Sequence, residues 1–266
     1  MAKLSFTTMG TPEMTGVEAI QAARKYGYDA VDLRVSDHKG EITADTPKED
    51  LRLLRGCLLS EGIELAGLLC YNVVGTEETS SWQAMTDSLK LHMEIGLKMG
   101  SPAIRMFGGN PHKEVPFNTF LQKSADSIRI ALEAFDREPI EIVLQNHGGS
   151  YNAIEGVQLI NAVGRDDFGL TFSPDHCVMM GEDMQEVYKQ VPSVTKQLYA
   201  SDVIMKPEGG YQGILPGQGD VPLKEAYQAI GGDDFKGYVS FKWEKIWQDH
   251  LEEPEIALPY FIEYWR

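Results

Sequence analysis

Gly237-Tyr238-Val239-Ser240-Phe241-Lys242-Trp243 is the eighth short β-like run of this chain, and reading it as a strand decides the fold. Seven runs of the same kind precede it: Leu4 to Thr8, Ala30 to Arg34, Ile63 to Cys70, Ala103 to Phe107, Ile140 to Gln145, Phe168 to Ser173 and Val194 to Ala200. Helix-like stretches separate them, from Gly16 to Tyr26, Asp50 to Ser60, Trp82 to Met99, Thr119 to Phe135, Tyr151 to Val163, Asp183 to Gln190 and Pro222 to Ile230, and Pro254 to Trp265 closes the series. In the longest, Met85, Leu89, Met93 and Leu97 recur every fourth residue and mark one apolar face. Alternating strands and helices predict a parallel sheet. Eight such units in 266 residues predict an α/β chain folded as one (β/α)₈ TIM barrel spanning residues 1–266. An open doubly wound sheet is the alternative, but the first strand–helix turn carries no GxGxxG fingerprint.

The composition agrees with an ordinary globular protein, at 42% hydrophobic and 24% charged residues. A disordered tail, a collagen-like chain and a small disulfide scaffold are excluded. Apolar runs such as Leu65 to Cys70 are far shorter than the roughly 20 residues that span a bilayer, so no membrane partner is expected. Met1-Ala2-Lys3 leads straight into the first strand, which predicts no cleaved leader. The 24 Lys plus Arg stand against 40 Asp plus Glu, a net charge of −16. That balance repels phosphate backbones, and no basic stripe is present, so nucleic acid is not an expected partner. Cys57, Cys70 and Cys177 are widely spaced and odd in number, which suggests reduced thiols and a cytoplasmic location. A homo-oligomer is left open.

In a barrel, chemistry sits at the C-terminal ends of the strands. Those ends read Leu144-Gln145-Asn146-His147-Gly148-Gly149 after the fifth strand, Ser173-Pro174-Asp175-His176 after the sixth, Tyr199-Ala200-Ser201-Asp202 after the seventh and Lys242-Trp243-Glu244-Lys245 after the eighth. Ionisable groups here interrupt apolar strands, which an interior tolerates only when they are paired or open to a ligand.

At this point the chain resembles the sugar phosphate isomerase/epimerase family, the xylose-isomerase-like barrels. The resemblance spans the whole chain. It rests on Lys3-Leu4-Ser5-Phe6, Tyr26-Gly27-Tyr28-Asp29-Ala30-Val31-Asp32-Leu33-Arg34, Arg105-Met106-Phe107-Gly108-Gly109, Gly219-Asp220-Val221-Pro222, Gly237 to Phe241, Trp243-Glu244-Lys245 and Glu253 to Pro259. It implies a divalent metal held by a Glu after strand five, an Asp after strand six, a His on strand seven and a Glu on strand eight, with the glutamates also moving the substrate proton. In this sequence the resemblance sets Gln145 at the first position, Asp175 at the second, Tyr199 at the third and Lys242 at the fourth. A further Glu of the family falls on Gln218.

An amide and a phenol are poor donors for a hard or borderline cation, and an ammonium repels one. The substitutions therefore predict that no cofactor is needed and that Lys242 replaces the metal, paired with Asp175 and hydrogen-bonded to Gln145 and Tyr199. Arg105, Gln145, His147, Asp175, Tyr199, Lys242 and Glu244 are expected around one cavity, with His176 and Gln218 as further ligand contacts. Lys242, Asp175 and His147 are the catalytic candidates. Other readings stand beside these. Asp175 could cap a short helix after strand six. Lys242 could be an exposed strand-end lysine, although it shares parity with Ser240 and Glu244. Glu244 could restore a carboxylate if the strand bulges. Arg105 could neutralise Asp32 or bind a sugar oxygen. His38, His92, His112 and His250 read as surface or loop residues.

Three functions follow. The first is a metal-independent enzyme on a sugar or cyclitol in carbohydrate metabolism, moving a proton next to a carbonyl by isomerisation, epimerisation or elimination. Here Lys242 would have a lowered pKa as a base, act as an electrostatic catalyst or, more remotely, form a Schiff base. The second is a non-catalytic sugar-binding or regulatory barrel. The third is a metal enzyme with an atypical ligand set drawn from Asp175, His176, His147 and Glu244.

Overall fold

A computed structural model describes residues 2–35, 42–75, 79–109 and 115–266. His38 and His112 lie outside them. The strands of the barrel are β1 (Lys3–Phe6), β2 (Ala30–Arg34), β3 (Glu64–Val74), β4 (Ala103–Gly108), β5 (Glu141–Gln145), β6 (Phe168–Phe172), β7 (Thr195–Ala200) and, after an inserted hairpin of β8 (Asp202–Met205) and β9 (Tyr211–Ile214), β10 (Tyr238–Phe241). All eight barrel strands pair in parallel, in the order β1-β10-β7-β6-β5-β4-β3-β2. The expected pairing of the eighth run with the first is present, from Lys3 opposite Tyr238 to Phe6 opposite Phe241. Closure between β1 and β2 rests on the parallel bridge of Thr7 and Asp32. The ring of strands is thus almost complete, as a (β/α)₈ barrel requires.

Helices α1 (Gly16–Tyr26), α2 (Lys48–Glu61), α3 (Thr79–Met99), α4 (Phe117–Glu133), α5 (Ala153–Val163), α6 (Pro174–Met180), α7 (Met184–Gln190), α8 (Leu223–Ala229) and α9 (Pro254–Trp265) surround it. Their starts are legible in the sequence. Thr15 with Glu18, and Asn152 with Glu155, form reciprocal capping boxes on α1 and α5, each satisfying two otherwise unpaired N–H groups. The last helix covers the outside of the closing strand: Phe261 stacks on Phe241 at 4.6 Å between ring centres, and Tyr28 Oη donates to the Leu258 carbonyl.

Two features stand outside the regular strand–helix alternation. Between β6 and α7 lies the short helix α6, with Pro174 at its first turn, a position where proline's missing N–H does no harm. After β7 comes the antiparallel hairpin, whose turn uses Gly209 and Gly210 at positive φ. Asp202 anchors it, accepting from the N–H groups of Gly217, Gly219 and Val221 at 2.8–3.0 Å.

Inside the barrel lies a polar layer. Ser5 Oγ donates to Asp32 Oδ2, and Gln197 Nε2 donates to Asp32 Oδ1 at 2.6 Å and to Ser240 Oγ at 2.8 Å. Burial pushes the Asp32 pKa up to about 6, against the pull of Ser5, Gln197, Ser240 and Arg105.

Candidate active site at the barrel mouth

The strand parity that sets Ser240 inside the barrel continues through Lys242 and Glu244. Lys242 is 1% exposed. Its Nζ lies 2.8 Å from Asp175 Oδ2, 3.0 Å from Glu244 Oε1 and 3.2 Å from His176 Nε2. An ammonium has three N–H donors, so all three are engaged. Burial alone would lower the Lys242 pKa, but Asp175 and Glu244 outweigh it and hold the ammonium above its ordinary range. The expectation of a lowered pKa is therefore corrected. The lysine end of the site is apolar only in its walls, and two carboxylates sit at its head.

Asp175 reaches Lys242 because α6 begins one residue before it. The cap itself is Ser173, whose side chain makes no capping bond, so Asp175 is not the helix cap of the bland reading. An amide clip fixes this turn to β5: Asn146 Nδ2 donates to the Ser173 carbonyl, and the Ser173 N–H donates back to Asn146 Oδ1. Beside it Gln145 Nε2 donates to Ser173 Oγ at 3.1 Å and Gln145 Oε1 accepts from Arg105 Nη1 at 2.6 Å. Gln145 is thus spent on Ser173 and Arg105, not on Lys242 as the sequence suggested.

Both histidines of the mouth are held neutral. Burial first, and then the Lys242 charge, push His176 well below the ordinary histidine range and His147 below it. Their rings lie 4.0 Å apart. A neutral imidazole offers one lone pair, and His176 uses Nε2 toward Lys242, leaving the 3.3 Å approach of the Gly148 N–H to its Nδ1 as a contact of the opposite tautomer. His147 Nδ1 lies 2.8 Å from the Gly148 carbonyl, which can only accept, so Nδ1 carries the proton. That fixes the tautomer and leaves Nε2 as the open acceptor of the ring, without a protein partner among the described residues.

Arg105, Gln145, His147, Lys242 and Glu244 line a cavity of about 600 Å³, within the usual size range for small-ligand sites; His176, expected as a ligand contact, is 5% exposed and does not line it. Asp175 stands behind Lys242, 1% exposed, and does not line it. Tyr199 does not line it either, and its expected place in the cavity is corrected: it pairs with Ser240, one pleat below Lys242, and is fully buried with its hydroxyl unpartnered. Gln218 is exposed and donates to Tyr260 Oη at 3.2 Å, away from the cavity. Of the histidines read as peripheral, His92 contacts Asn72 and the Ser88 carbonyl, and His250 lies 3.4 Å from the Gly213 carbonyl.

The sequence reading missed Met9, Tyr71, Phe107, Tyr211, Trp247 and Gln248, which complete the wall. Phe107 shares the strand parity of Arg105 and could have been found by it. Tyr211 arrives on the inserted hairpin. Gly108 and Gly109 let the neighbouring loops close in: a Cβ on Gly108 would stand 1.9 Å from Tyr151 Cδ2, and one on Gly109 1.7 Å from the Gly75 carbonyl.

The family resemblance implies a divalent metal, and the donor set at the mouth opposes one. Lys242 Nζ fills the space between Asp175, Glu244 and His176, and its charge opposes a second cation. Among the described residues no group of three or more His, Cys, Asp and Glu is arranged to hold a metal. The residues as placed do not fit the ion. The described residues also contain no helix long and apolar enough to cross a membrane.

Residues 20–258 match the family described as xylose isomerase-like TIM barrel. An inosose isomerase of Bacillus velezensis is 22% identical over 247 residues, covering 90% of this chain and 87% of that protein. A solved structure of IOLI protein with a bound zinc atom superposes with a TM-score of 0.79 at 20% identity, over 98% of this chain and 94% of the other. A probable 3-DHS dehydratase involved in petrobactin synthesis in Bacillus anthracis gives 0.77 at 14% identity, over 99% of both chains.

Proposed function

The chain belongs to the xylose isomerase-like TIM barrel family, and we propose that within it this protein is an enzyme on a small sugar or cyclitol, moving a proton at the carbon beside a carbonyl without a metal. The observation that carries this reading is Lys242 Nζ seated between Asp175, Glu244 and His176 at the wall of the cavity, with His147 Nε2 open beside them. The similar inosose isomerase, as its name states, is an isomerase, a reaction class this reading shares.

In this reading Lys242 is an electrostatic group. A raised pKa and three acceptors support this role over that of a base or of the free amine that a Schiff base requires. His176 is its longest contact, and a substrate oxygen can take that place. His147 Nε2 accepts the proton from the carbon, the carbonyl oxygen becomes an enolate oxygen, and the ammonium stabilises the new charge. The protonated His147 then returns the proton to the former carbonyl carbon while the neighbouring hydroxyl proton passes to the enolate oxygen, which completes isomerisation, or it protonates a departing β-hydroxyl, which leaves as water as the enolate collapses back to the carbonyl. One base on one face suits these outcomes better than inversion at a single carbon. Asp175 holds the ammonium and does not touch substrate.

The test is solvent exchange. Chelator-treated protein is incubated in D₂O with a panel of ketohexoses and keto-cyclitols, and deuterium on the carbon next to the carbonyl is followed by NMR. Incorporation that is lost in Lys242→Met and in His147→Gln supports the proposal. Binding without exchange for every panel member points to a sugar-binding barrel instead. Exchange that appears only after zinc, manganese or magnesium is added favours the atypical metal enzyme.

A further inference from the structure

Opposite Lys242, the cavity wall holds a second cation with a different fate. Arg105 is 3% exposed and lines the cavity. Its guanidinium lies against two aromatic rings, 4.1 Å from the centre of Phe107 and 4.9 Å from that of Tyr71. Only Nη1 is used, on Gln145 Oε1; Nε and Nη2 are buried and meet no partner among the described residues. Lys242 has two carboxylates at its head, whereas Arg105 forms no ion pair among the described residues, Asp32 acting on it only from a distance.

A guanidinium stays charged at any pH the protein meets. Buried with two idle donor groups, it is costly unless an anion or ordered water completes it. Nε and Nη2 lie along one edge of the planar group, which is the fork that takes a carboxylate or a phosphate through two parallel hydrogen bonds. The rest of the cavity has the opposite character, since Glu244 and the Asp175–Lys242 pair leave an excess of negative charge there. A molecule with one anionic end and hydroxyls elsewhere fits this polarity in one orientation.

We propose that Arg105 is the anion subsite of the cavity and that the substrate class is an acidic sugar or cyclitol, carrying a carboxylate or a phosphate. This rests on the sugar or cyclitol reading above and narrows it. The acid group docks on Arg105 beside Phe107 and Tyr71, and its ring extends toward His147 and Lys242. The protein as a whole carries a net charge of −16, so this local cation selects an acidic ligand against the general field.

The experiment is calorimetric titration of the whole protein with ring-matched probes: glucose against glucuronate and glucose 6-phosphate, galactose against galacturonate, and myo-inositol against inositol 1-phosphate. The anionic member of at least one series should bind about tenfold or more tightly than its neutral partner. Whether the carboxylate or the phosphate gains more identifies the acid group. Arg105→Gln should remove the preference, and Arg105→Lys, which keeps the charge without the fork, should keep part of it. Equal affinity for neutral and anionic members overturns the anion subsite and leaves the sugar reading standing, with water completing Arg105. Absence of binding by every probe overturns both.

Discussion

Around Asp32 and around Lys242 the barrel holds two polar clusters, the first enclosed within the ring of strands and the second lining the cavity at its mouth. In the inner one, Ser5 and Gln197 donate to both oxygens of Asp32 and Gln197 reaches Ser240 as well. In the outer one, Asp175 Oδ1 and Arg105 Nε and Nη2 are buried without partners among the described residues. Buried polar atoms are nearly always satisfied, so unmet ones call for an explanation. Asp32 is fully satisfied as it stands and serves the fold, although the Tyr199 hydroxyl, level with Ser240 and away from the cavity, meets no partner among the described residues. The outer cluster is completed only by something that enters the mouth. Polarity alone does not mark a site; unfinished hydrogen bonding beside a cavity does.

The largest test of this contrast is Lys242→Met. Removing the ammonium leaves Asp175 and Glu244 facing one another in a buried setting, and a loss of about 3–5 kcal/mol of stability is expected in denaturant unfolding. A change below about 1 kcal/mol would mean that water reaches the outer cluster freely. Next, Gln197→Leu in the inner cluster deprives Asp32 Oδ1 of its donor and should lower stability by about 1–3 kcal/mol, with no change in ligand affinity by calorimetry. Weakened binding in a folded Gln197→Leu protein would join the two clusters into one site.

Acid titration of stability separates them by sign. His176 and His147 have pKa values below the unfolded histidine value, so the unfolded state binds more protons and stability falls as pH drops from about 6.5. Asp32 is pushed up to about 6, so between its unfolded value of about 4 and that point the native state binds more protons, and its contribution falls as pH rises. The two oppose each other in this window. Asp32→Asn should therefore steepen the acid loss of stability, read from unfolding midpoints between about pH 4 and 6; an unchanged slope would show Asp32 ionised like an exposed carboxylate. The smallest effect is expected at Gln218→Ala, within about 0.5 kcal/mol in stability and without effect on affinity. A measurable loss of binding there would bring the Gln218 loop back to the mouth.

Much of this was legible beforehand, for local reasons. Each strand and helix announces itself within a few residues through period and caps, and Ser240, Lys242 and Glu244 share a face because side chains alternate along a strand. The failures share a cause too. The resemblance sets Tyr199 in the cavity, but its depth depends on register with β10, which sets it level with Ser240. Gln218 was judged by the resemblance, and its actual partner is Tyr260 on the far side of a loop. Tyr211 and Trp247, 45% and 52% exposed, reach the wall from segments with no strand-end signature. The hairpin turn Lys206-Pro207-Glu208-Gly209-Gly210 carries ordinary turn residues, so that feature could have been found.

From residue order alone came the eight β/α units, hence the barrel, and the set of ionisable residues at its C-terminal rim, because strand and helix periodicity are properties of neighbouring residues. Distance across the mouth is not such a property. Only the closed barrel sets Asp175, Glu244 and His176 within hydrogen-bond reach of one ammonium while leaving Arg105 without a carboxylate partner among the described residues. Whether a buried lysine is driven below its ordinary pKa by desolvation or held above it by counter-charges depends on separations of a few ångströms between groups tens of residues apart. For Lys242 that competition was decided by the fold, in favour of the charged form.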